Sequence, residues 1–217
     1  MARKTKEDTE LTYAALLAAA EQVFFEKGVA QTTLSDVAAA AGMTRGAIYW
    51  HFKDKAALLR TLFGQAMLPM ETMLAELESC PDDNPLGALR QFCIHSLTSL
   101  ARSPQQQRIF SILFHKCDNV GEAAASLMEH EQACSDECQL RVMRIMQKAV
   151  AMGQLPPDTD VFLSQQILKN FAMGTMSEWL LNPQLYALDA NAAAMVDMLM
   201  AGLKANPPRM QTPTHSA

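Results

Sequence analysis

Hydrophobic residues recur at helical spacing along almost the whole chain, and no segment alternates apolar and polar residues as a half-buried strand would. Alanine, leucine, methionine, glutamate and glutamine dominate these stretches and favour helix. The first stripe spans about residues 7–27, ends at Gly28, and carries Leu16, Leu17, Ala20, Val23 and Phe24. The pattern predicts an all-α protein with about nine helices.

Polar caps and a glycine divide the next part of the chain into two short helices. Thr33 begins one of them, with Asp36 three residues later as its capping partner, and Gly42 ends it. Thr44 caps the other. Two short helices around a glycine turn, supported by a longer one, match the helix-turn-helix arrangement. We therefore predict a three-helix DNA-binding domain over residues 1–54.

Longer helices follow, separated by breaks that contain proline, glycine or asparagine. We expect them near residues 55–79, 85–102, 105–117, 121–152, 158–181 and 190–204. Asp54 caps the first of these, and Pro69 lies inside it, where it should kink or interrupt the helix. These helices predict a second domain over residues 55–205, and residues 206–217 look like a flexible tail.

The charge is unevenly placed along the chain. The formal net charge is -5, yet residues 1–60 hold eight Lys and Arg against seven Asp and Glu. The remainder holds ten basic against sixteen acidic residues. A slightly positive end on an acidic body is compatible with DNA binding if its cations share one face.

Other compositional features bear on where the protein works. No apolar run approaches the roughly 20 residues that span a bilayer, and no apolar segment follows the basic N-terminus as in a signal peptide. An odd number of cysteines favours reduced thiols: Cys80, Cys93, Cys117, Cys134 and Cys138. We expect a cytoplasmic protein with no membrane contact.

The most informative string is TRGAIYWHFKDK, at residues 44–55. Ile48 and Phe52 are four apart and can pack onto the first helix. The outward positions then carry hydrogen-bond donors or flat rings, which contact phosphates and base edges: Arg45, Tyr49, Trp50 and His51. Gly46 leaves room for the DNA backbone, and Lys55 begins a helix whose positive dipole end could bind a phosphate.

The segment from Thr32 to Lys55 resembles the DNA-binding domain of TetR-family regulators, in particular AcrR-type repressors of multidrug efflux pumps. The strings MARKTK, FHKC, GQLPPD and EWLLNPQ fit the same group. The resemblance implies an operator-facing surface made of Thr33, Thr44, Arg45, Gly46, Tyr49, Trp50, His51 and Lys55. In this group the residue that corresponds to Thr12 is usually followed by arginine. Here Tyr13 follows, so a phosphate contact is lost or replaced by a tyrosyl hydroxyl.

The resemblance also implies a mechanism and partners. It implies a repressor that binds a palindromic operator in double-stranded DNA as a homodimer and is released by hydrophobic drug-like ligands. The last two helices would form the dimer interface, and their apolar residues do lie on more than one stripe. Those residues are Val161, Ile167, Leu168, Phe171, Trp179, Met195, Val196, Met198, Leu199, Met200 and Leu203.

A ligand pocket is expected in the second domain, mainly because of the resemblance. Fourteen of the fifteen methionines follow residue 42, and methionine suits pockets that accept differently shaped ligands. The apolar candidates are Phe63, Met67, Met70, Met73, Phe92, Phe110, Leu113, Phe114, Met143, Met146, Phe171 and Met176. The polar candidates are Ser96, His115, Gln139 and Glu178. Each of these residues could instead belong to an ordinary core.

Other classes of function have weaker sequence support. A metal or oxidation sensor could be formed by three residues that align on one predicted helix: His130, Cys134 and Cys138. The first and last of them are about two helical turns apart, however, so one ion would bind both poorly. No catalytic motif is present, so we predict no enzyme activity, no metal and no cofactor. A metabolite-responsive regulator or an activator with the same fold stays open.

Overall fold

The computed structural model describes residues 6–79, 83–117 and 122–210, including their side chains except at 6, 7 and 122–135. Within these ranges the chain forms nine α-helices and no named strand, which confirms the predicted fold class. They are α1 (Lys6–Lys27), α2 (Leu34–Ala40), α3 (Arg45–His51), α4 (Lys55–Ser79), α5 (Pro85–Arg102), α6 (Pro104–His115), α7 (Glu122–Ala151), α8 (Val161–Leu181) and α9 (Leu188–Ala205). No helix in the described part of the chain is both long and apolar enough to cross a membrane.

Side-chain caps fix where the helices of the N-terminal region begin. The Thr33 hydroxyl accepts from the Asp36 backbone N–H at 3.2 Å, and the Thr33 N–H donates to the Asp36 carboxylate at 2.8 Å. The Thr44 hydroxyl accepts from the Ala47 N–H at 3.3 Å. The Asp54 carboxylate accepts from a backbone N–H in the first turn of α4 at 2.7 Å. All three predicted caps are confirmed, and each satisfies a donor that a helix end leaves unpaired.

Glycines in the left-handed region end the first two helices. Gly28 has φ +79° and Gly42 has φ +67°, a region that residues with a Cβ rarely adopt. After Gly42 turns the chain, the Met43 N–H donates back to the Ala38 carbonyl at 2.8 Å and closes α2. The turn between α2 and α3 is therefore short and fixed.

The first of two compact units contains the chain up to Leu68 together with Pro104–Ala133. Side chains from five helices meet in its core, and a fully buried aliphatic or aromatic side chain contributes about 1.5–3 kcal/mol. Among the side chains with no exposed surface are Leu16, Phe24, Val29, Val37, Ile48, Leu58 and Ile112. Only one face of α3, the face that carries Ile48, is buried in this core.

The second unit contains Pro69–Ser103 and the chain from Cys134 onwards. Helix α5 packs along α9, and an ion pair joins them, in which the Arg90 guanidinium donates two hydrogen bonds to the Asp197 carboxylate, at 2.5 Å and 2.9 Å. The Glu78 carboxylate near the end of α4 binds two guanidinium groups of α7, Arg141 at 2.8 Å and Arg144 at 2.6 Å. These ion pairs connect helices that are distant in sequence.

Helix α4 runs through Pro69 without a break, so the predicted interruption does not occur. Proline has no N–H, and the Gln65 carbonyl four residues earlier therefore lacks its usual helical donor. Both residues are exposed, so water can bind that carbonyl instead. The boundary between the two units falls after Leu68, next to this proline.

The segment after α9 is paired as far as it is described. The Asp160 N–H donates to the Pro208 carbonyl at 2.8 Å, and the Met210 N–H donates to the Asp158 carbonyl at 2.9 Å. Arg209 also forms an ion pair with Asp158. The sequence prediction of a flexible tail from residue 206 does not anticipate this pairing, and residues 211–217 lie outside the described part.

Candidate nucleic-acid interface

Helix α3 is buried on one face and exposed on the other. Ile48 is 0% exposed and Phe52, just after the helix, is 3% exposed, whereas Tyr49 and Trp50 are 46% and 81% exposed. Arg45 is also exposed, and its guanidinium carbon lies 5.4 Å from the centroid of the Tyr49 ring. A guanidinium and two aromatic rings on one short helix can contact phosphates and base edges.

Gly46 lies in the first turn of α3 and is exposed. A Cβ added to it would meet only the Thr44 hydroxyl, at the ordinary contact distance of 3.9 Å. Its backbone is not among those with positive φ. Because neither backbone conformation nor packing requires glycine here, close approach of a partner surface is a physical reason for it.

His51 ends α3 and lies against α1. Its ring centroid is 5.7 Å from that of Tyr13, and Tyr13 in turn stacks on Phe52 with centroids 5.4 Å apart. His51 is half-buried. A surface depression of about 320 Å³ beside it is lined by Thr9, Ala47, Trp50 and His51.

Thr33 is exposed at the start of α2, and its hydroxyl is already engaged in the cap. The hydroxyl donates to the Asp36 carboxylate at 2.6 Å. Hydrogen bonds from the side chain and backbone of Thr33 hold the pKa of Asp36 below its ordinary value, and Lys27, 4.0 Å away, acts in the same direction. The backbone around Thr33 therefore has a fixed conformation.

Lys55 points inward at the start of α4. Its ammonium group donates to the Val29 carbonyl at 2.6 Å and to the Thr32 carbonyl at 2.9 Å. Partial burial lowers the pKa of Lys55. Two of its three donors thus fix the loop between α1 and α2, which leaves one for the predicted phosphate contact.

The sequence reading missed an ion pair between α1 and α6. Glu21 is buried, and its carboxylate lies 2.5 Å from the Arg108 guanidinium. The available signal was Glu21 itself, a charged residue on the apolar stripe that contains Leu17, Ala20 and Phe24. A carboxylate at such a position requires a cation from another element.

The predicted ligand-binding residues fall in both units. In the first unit Phe63 and Phe110 are buried, and the half-buried candidates are Met67, Leu113, Phe114 and His115. In the second unit Ser96, Met146 and Met176 are buried and Glu178 is exposed. The half-buried candidates there are Met70, Met73, Phe92, Gln139, Met143 and Phe171.

A metal centre has no support among the described residues, where no three His, Cys, Asp or Glu side chains come together. His130 and Cys134 lie outside the described side chains, and Cys138 is half-buried. Burial raises the pKa of the Cys93 thiol to about 12, so this thiol stays protonated at neutral pH. The metal or thiol hypothesis stays a prediction for His130 and Cys134.

Two family models match the chain. The model described as "Bacterial regulatory proteins, tetR family" covers residues 16–62, which include α2 and α3. The model described as "MAATS-type transcriptional repressor, C-terminal region" covers residues 84–205.

Similar proteins extend over nearly the whole chain. The HTH-type transcriptional regulator AcrR of Shigella flexneri is 35% identical over 205 residues, which are 92% of this chain and 93% of that protein. The crystal structure of NalD, the secondary repressor of the MexAB-OprM multidrug efflux pump in Pseudomonas aeruginosa, has a TM-score of 0.77 at 31% identity and covers 90% of this chain and 97% of its own. The complex of SmeT with triclosan has a TM-score of 0.80 at 30% identity and covers 88% of this chain and 91% of its own. SmeT is the repressor of the Stenotrophomonas maltophilia multidrug efflux pump SmeDEF.

Proposed function

The chain belongs to the tetR family of bacterial regulatory proteins, and on that premise we propose that it represses a multidrug efflux operon. As a member of that family it is a transcriptional regulator and not an enzyme. In the proposal it acts in the cytoplasm, binds a palindromic operator as a homodimer, and leaves the DNA when a hydrophobic drug-like ligand binds. Residues 1–54 serve DNA binding, and residues 55–205 serve ligand binding and dimerisation.

The exposed face of α3 carries the proposal. Trp50 is 81% exposed and Tyr49 46% exposed on a helix whose other face is anchored by fully buried Ile48. Adjacent exposed aromatic rings are typical of binding surfaces. With Arg45 and Gly46 beside them, they present donors, flat rings and an accessible backbone to the major groove.

Apolar surface on α8 and α9 supports the homodimer. Leu168 and Trp179 of α8 and Val196 and Met200 of α9 are buried in their unit. Other apolar residues of the same helices are exposed: Phe162, Leu163, Ile167, Met173, Leu181 and Met198. A second copy with the same surface would cover them around a two-fold axis, and a two-fold dimer reads a palindromic site.

The half-buried candidate residues support ligand binding. In the second unit, five half-buried side chains leave apolar surface that a hydrophobic ligand could cover: Met70, Met73, Phe92, Met143 and Phe171. The similar protein SmeT forms a complex with triclosan. Helix α4 contributes residues to both units, so a ligand that prefers one position of α4 can change the spacing of the two α3 helices.

A DNA titration tests the proposal. Full-length protein is added to the DNA upstream of its own gene at fixed salt, with and without triclosan and cationic dyes, and binding is followed by gel shift. We expect tight binding to this duplex, loss on addition of a drug, and weaker binding by Arg45→Ala. Lys204→Ala, which removes another exposed cation, should bind like the wild type.

Binding no tighter than to a random duplex would contradict repression at this site, and binding that no drug affects would contradict the ligand class. Dimerisation is tested separately by sedimentation equilibrium. Met198→Glu should give a monomer with weakened operator binding, whereas Met210→Glu, an exposed methionine outside α9, should leave the dimer intact. A Met198→Glu dimer would exclude this face as the interface.

A further inference from the structure

Tyr13 is the one α1 residue with described ring contacts to the end of α3. Its ring stacks on Phe52 with an angle of 22° between the planes, and it meets His51 at 53°. Both centroid distances fall in the roughly 4.5–7 Å range of favourable aromatic pairs. Phe52 is buried, and its own ring centroid lies 6.3 Å from that of His51, so Tyr13 and Phe52 together hold the half-buried imidazole against the core of the first unit.

His51 is at a position where its orientation matters. It is the last residue of the seven-residue helix α3, and the chain becomes extended at Phe52, with φ -132° and ψ 119°. His51 lines the surface depression together with Thr9, Ala47 and Trp50. The hydroxyl, indole and imidazole groups of three of these residues can donate hydrogen bonds, and none of the lining residues that the structure describes is a carboxylate. Such a lining suits an anionic oxygen.

We propose that Tyr13 is a positioning residue of the DNA interface: its ring holds the His51 imidazole toward a backbone phosphate that sits in this depression. The inference rests on the proposed function, because it requires α3 to face DNA. Tyr13 acts through its aromatic face, so its hydroxyl is dispensable. A positioned imidazole would add one charge-assisted or neutral hydrogen bond to phosphate, which does not depend on the DNA sequence.

Gel shifts at several salt concentrations test this role with the full chain. The probes are the duplex from upstream of the protein's own gene and a random duplex of equal length. Tyr13→Ala should weaken binding to both probes by roughly tenfold and flatten the dependence of log affinity on log salt by about one unit if the imidazole is charged. Tyr13→Phe should stay within about twofold of the wild type.

A double variant separates positioning from packing. In a His51→Ala background, Tyr13→Ala should cause no further loss of affinity, because its effect passes through the imidazole. An equal loss in both backgrounds would overturn the proposal. So would a Tyr13→Phe variant as weak as Tyr13→Ala, since this would assign the DNA contact to the tyrosyl hydroxyl.

Two further controls keep the test decisive. Tyr13→Leu fills space beside Phe52 but lacks the aromatic face, so it should also bind roughly tenfold more weakly than the wild type, and it replaces Tyr13→Ala in the test if the alanine variant unfolds. Wild-type affinity in Tyr13→Leu would overturn the proposal. If the wild type does not prefer the upstream duplex, the proposed function fails at that DNA. The Tyr13 comparison on the random duplex still measures the phosphate contact.

Discussion

The Lys55 ammonium donates to the Val29 carbonyl at 2.6 Å, across 26 positions in the sequence. The backbone N–H of the same valine donates to the Lys116 carbonyl, just after α6, at 3.1 Å. The peptide groups around Val29 are therefore held from the start of α4 and from the end of α6. This junction fixes the loop that leads from α1 to α2.

Replacing Lys55 should destabilise the protein as well as weaken DNA binding. Lys55→Met removes the donor for two carbonyls, and hydrogen bonds to charged groups contribute about 1.5–3 kcal/mol each. Lys55 is half-buried, so solvent weakens both bonds, and we expect a total loss of about 2 kcal/mol in the free energy of unfolding, measured with urea. Lys53→Met, at an exposed lysine two residues earlier, should change it by less than about 0.5 kcal/mol. A stable Lys55→Met protein with weak DNA binding would indicate a phosphate contact only.

Gly46→Ala should move stability and DNA affinity in opposite directions. Alanine is favoured over glycine inside a helix by up to about 1 kcal/mol, and the added methyl group meets only the Thr44 hydroxyl, at an ordinary contact distance. The same methyl group would stand between the α3 backbone and the DNA. We expect a higher melting temperature and weaker operator binding. Gly64→Ala, at another helical glycine with open space around it, should raise stability without changing affinity.

Separating Glu21 from Arg108 should be costly for the first unit. Arg108→Gln leaves a buried carboxylate without its cation, which typically costs about 3–5 kcal/mol. The Arg108 side chain is 41% exposed, so water screens the pair and we expect about 2 kcal/mol. Adding Glu21→Gln removes the charge and should recover part of this loss in urea denaturation. A double variant less stable than Arg108→Gln would contradict the explanation.

The capping box of α2 should make stability depend on pH in the acid range. The pKa of Asp36 is below its ordinary value, so the unfolded chain binds this proton more readily than the folded protein. The resulting stabilisation is present above about pH 4 and is lost as the pH falls through the folded pKa. The stability difference between wild type and Asp36→Asn should therefore shrink from pH 6 towards pH 3. A difference that stays constant would exclude ionised Asp36 as its source.

Features set by neighbouring residues could be predicted from the sequence. Thr33 and Asp36 are three positions apart, and Gly42 directly follows the C-cap residue of α2, so their roles depend on local conformation. The alternation of Ile48 and Phe52 with exposed Tyr49 and Trp50 follows from helical spacing alone. These local rules were sufficient to locate α3 and its outer face.

Contacts between distant residues could not be predicted in the same way. The partners of Lys55 lie 26 and 23 positions away, and Arg108 lies 87 positions from Glu21. Which residues meet Lys55 and Glu21 depends on how whole helices pack against one another, and the apolar stripe of a single helix does not specify that packing. For the same reason the sequence predicts Lys55 as a phosphate ligand and does not show that it holds the loop between α1 and α2.

The exposure of Trp50 gives the protein its own spectroscopic reporter. The chain has two tryptophans, and the other, Trp179, is buried and donates its indole N–H to the Tyr186 carbonyl at 3.0 Å. An indole in water emits at longer wavelength than one in an apolar interior. Covering α3 with DNA should therefore shift and quench the long-wavelength emission of Trp50. The emission of Trp179 would remain as an internal reference, so unlabelled protein would report the occupancy of its own recognition helix.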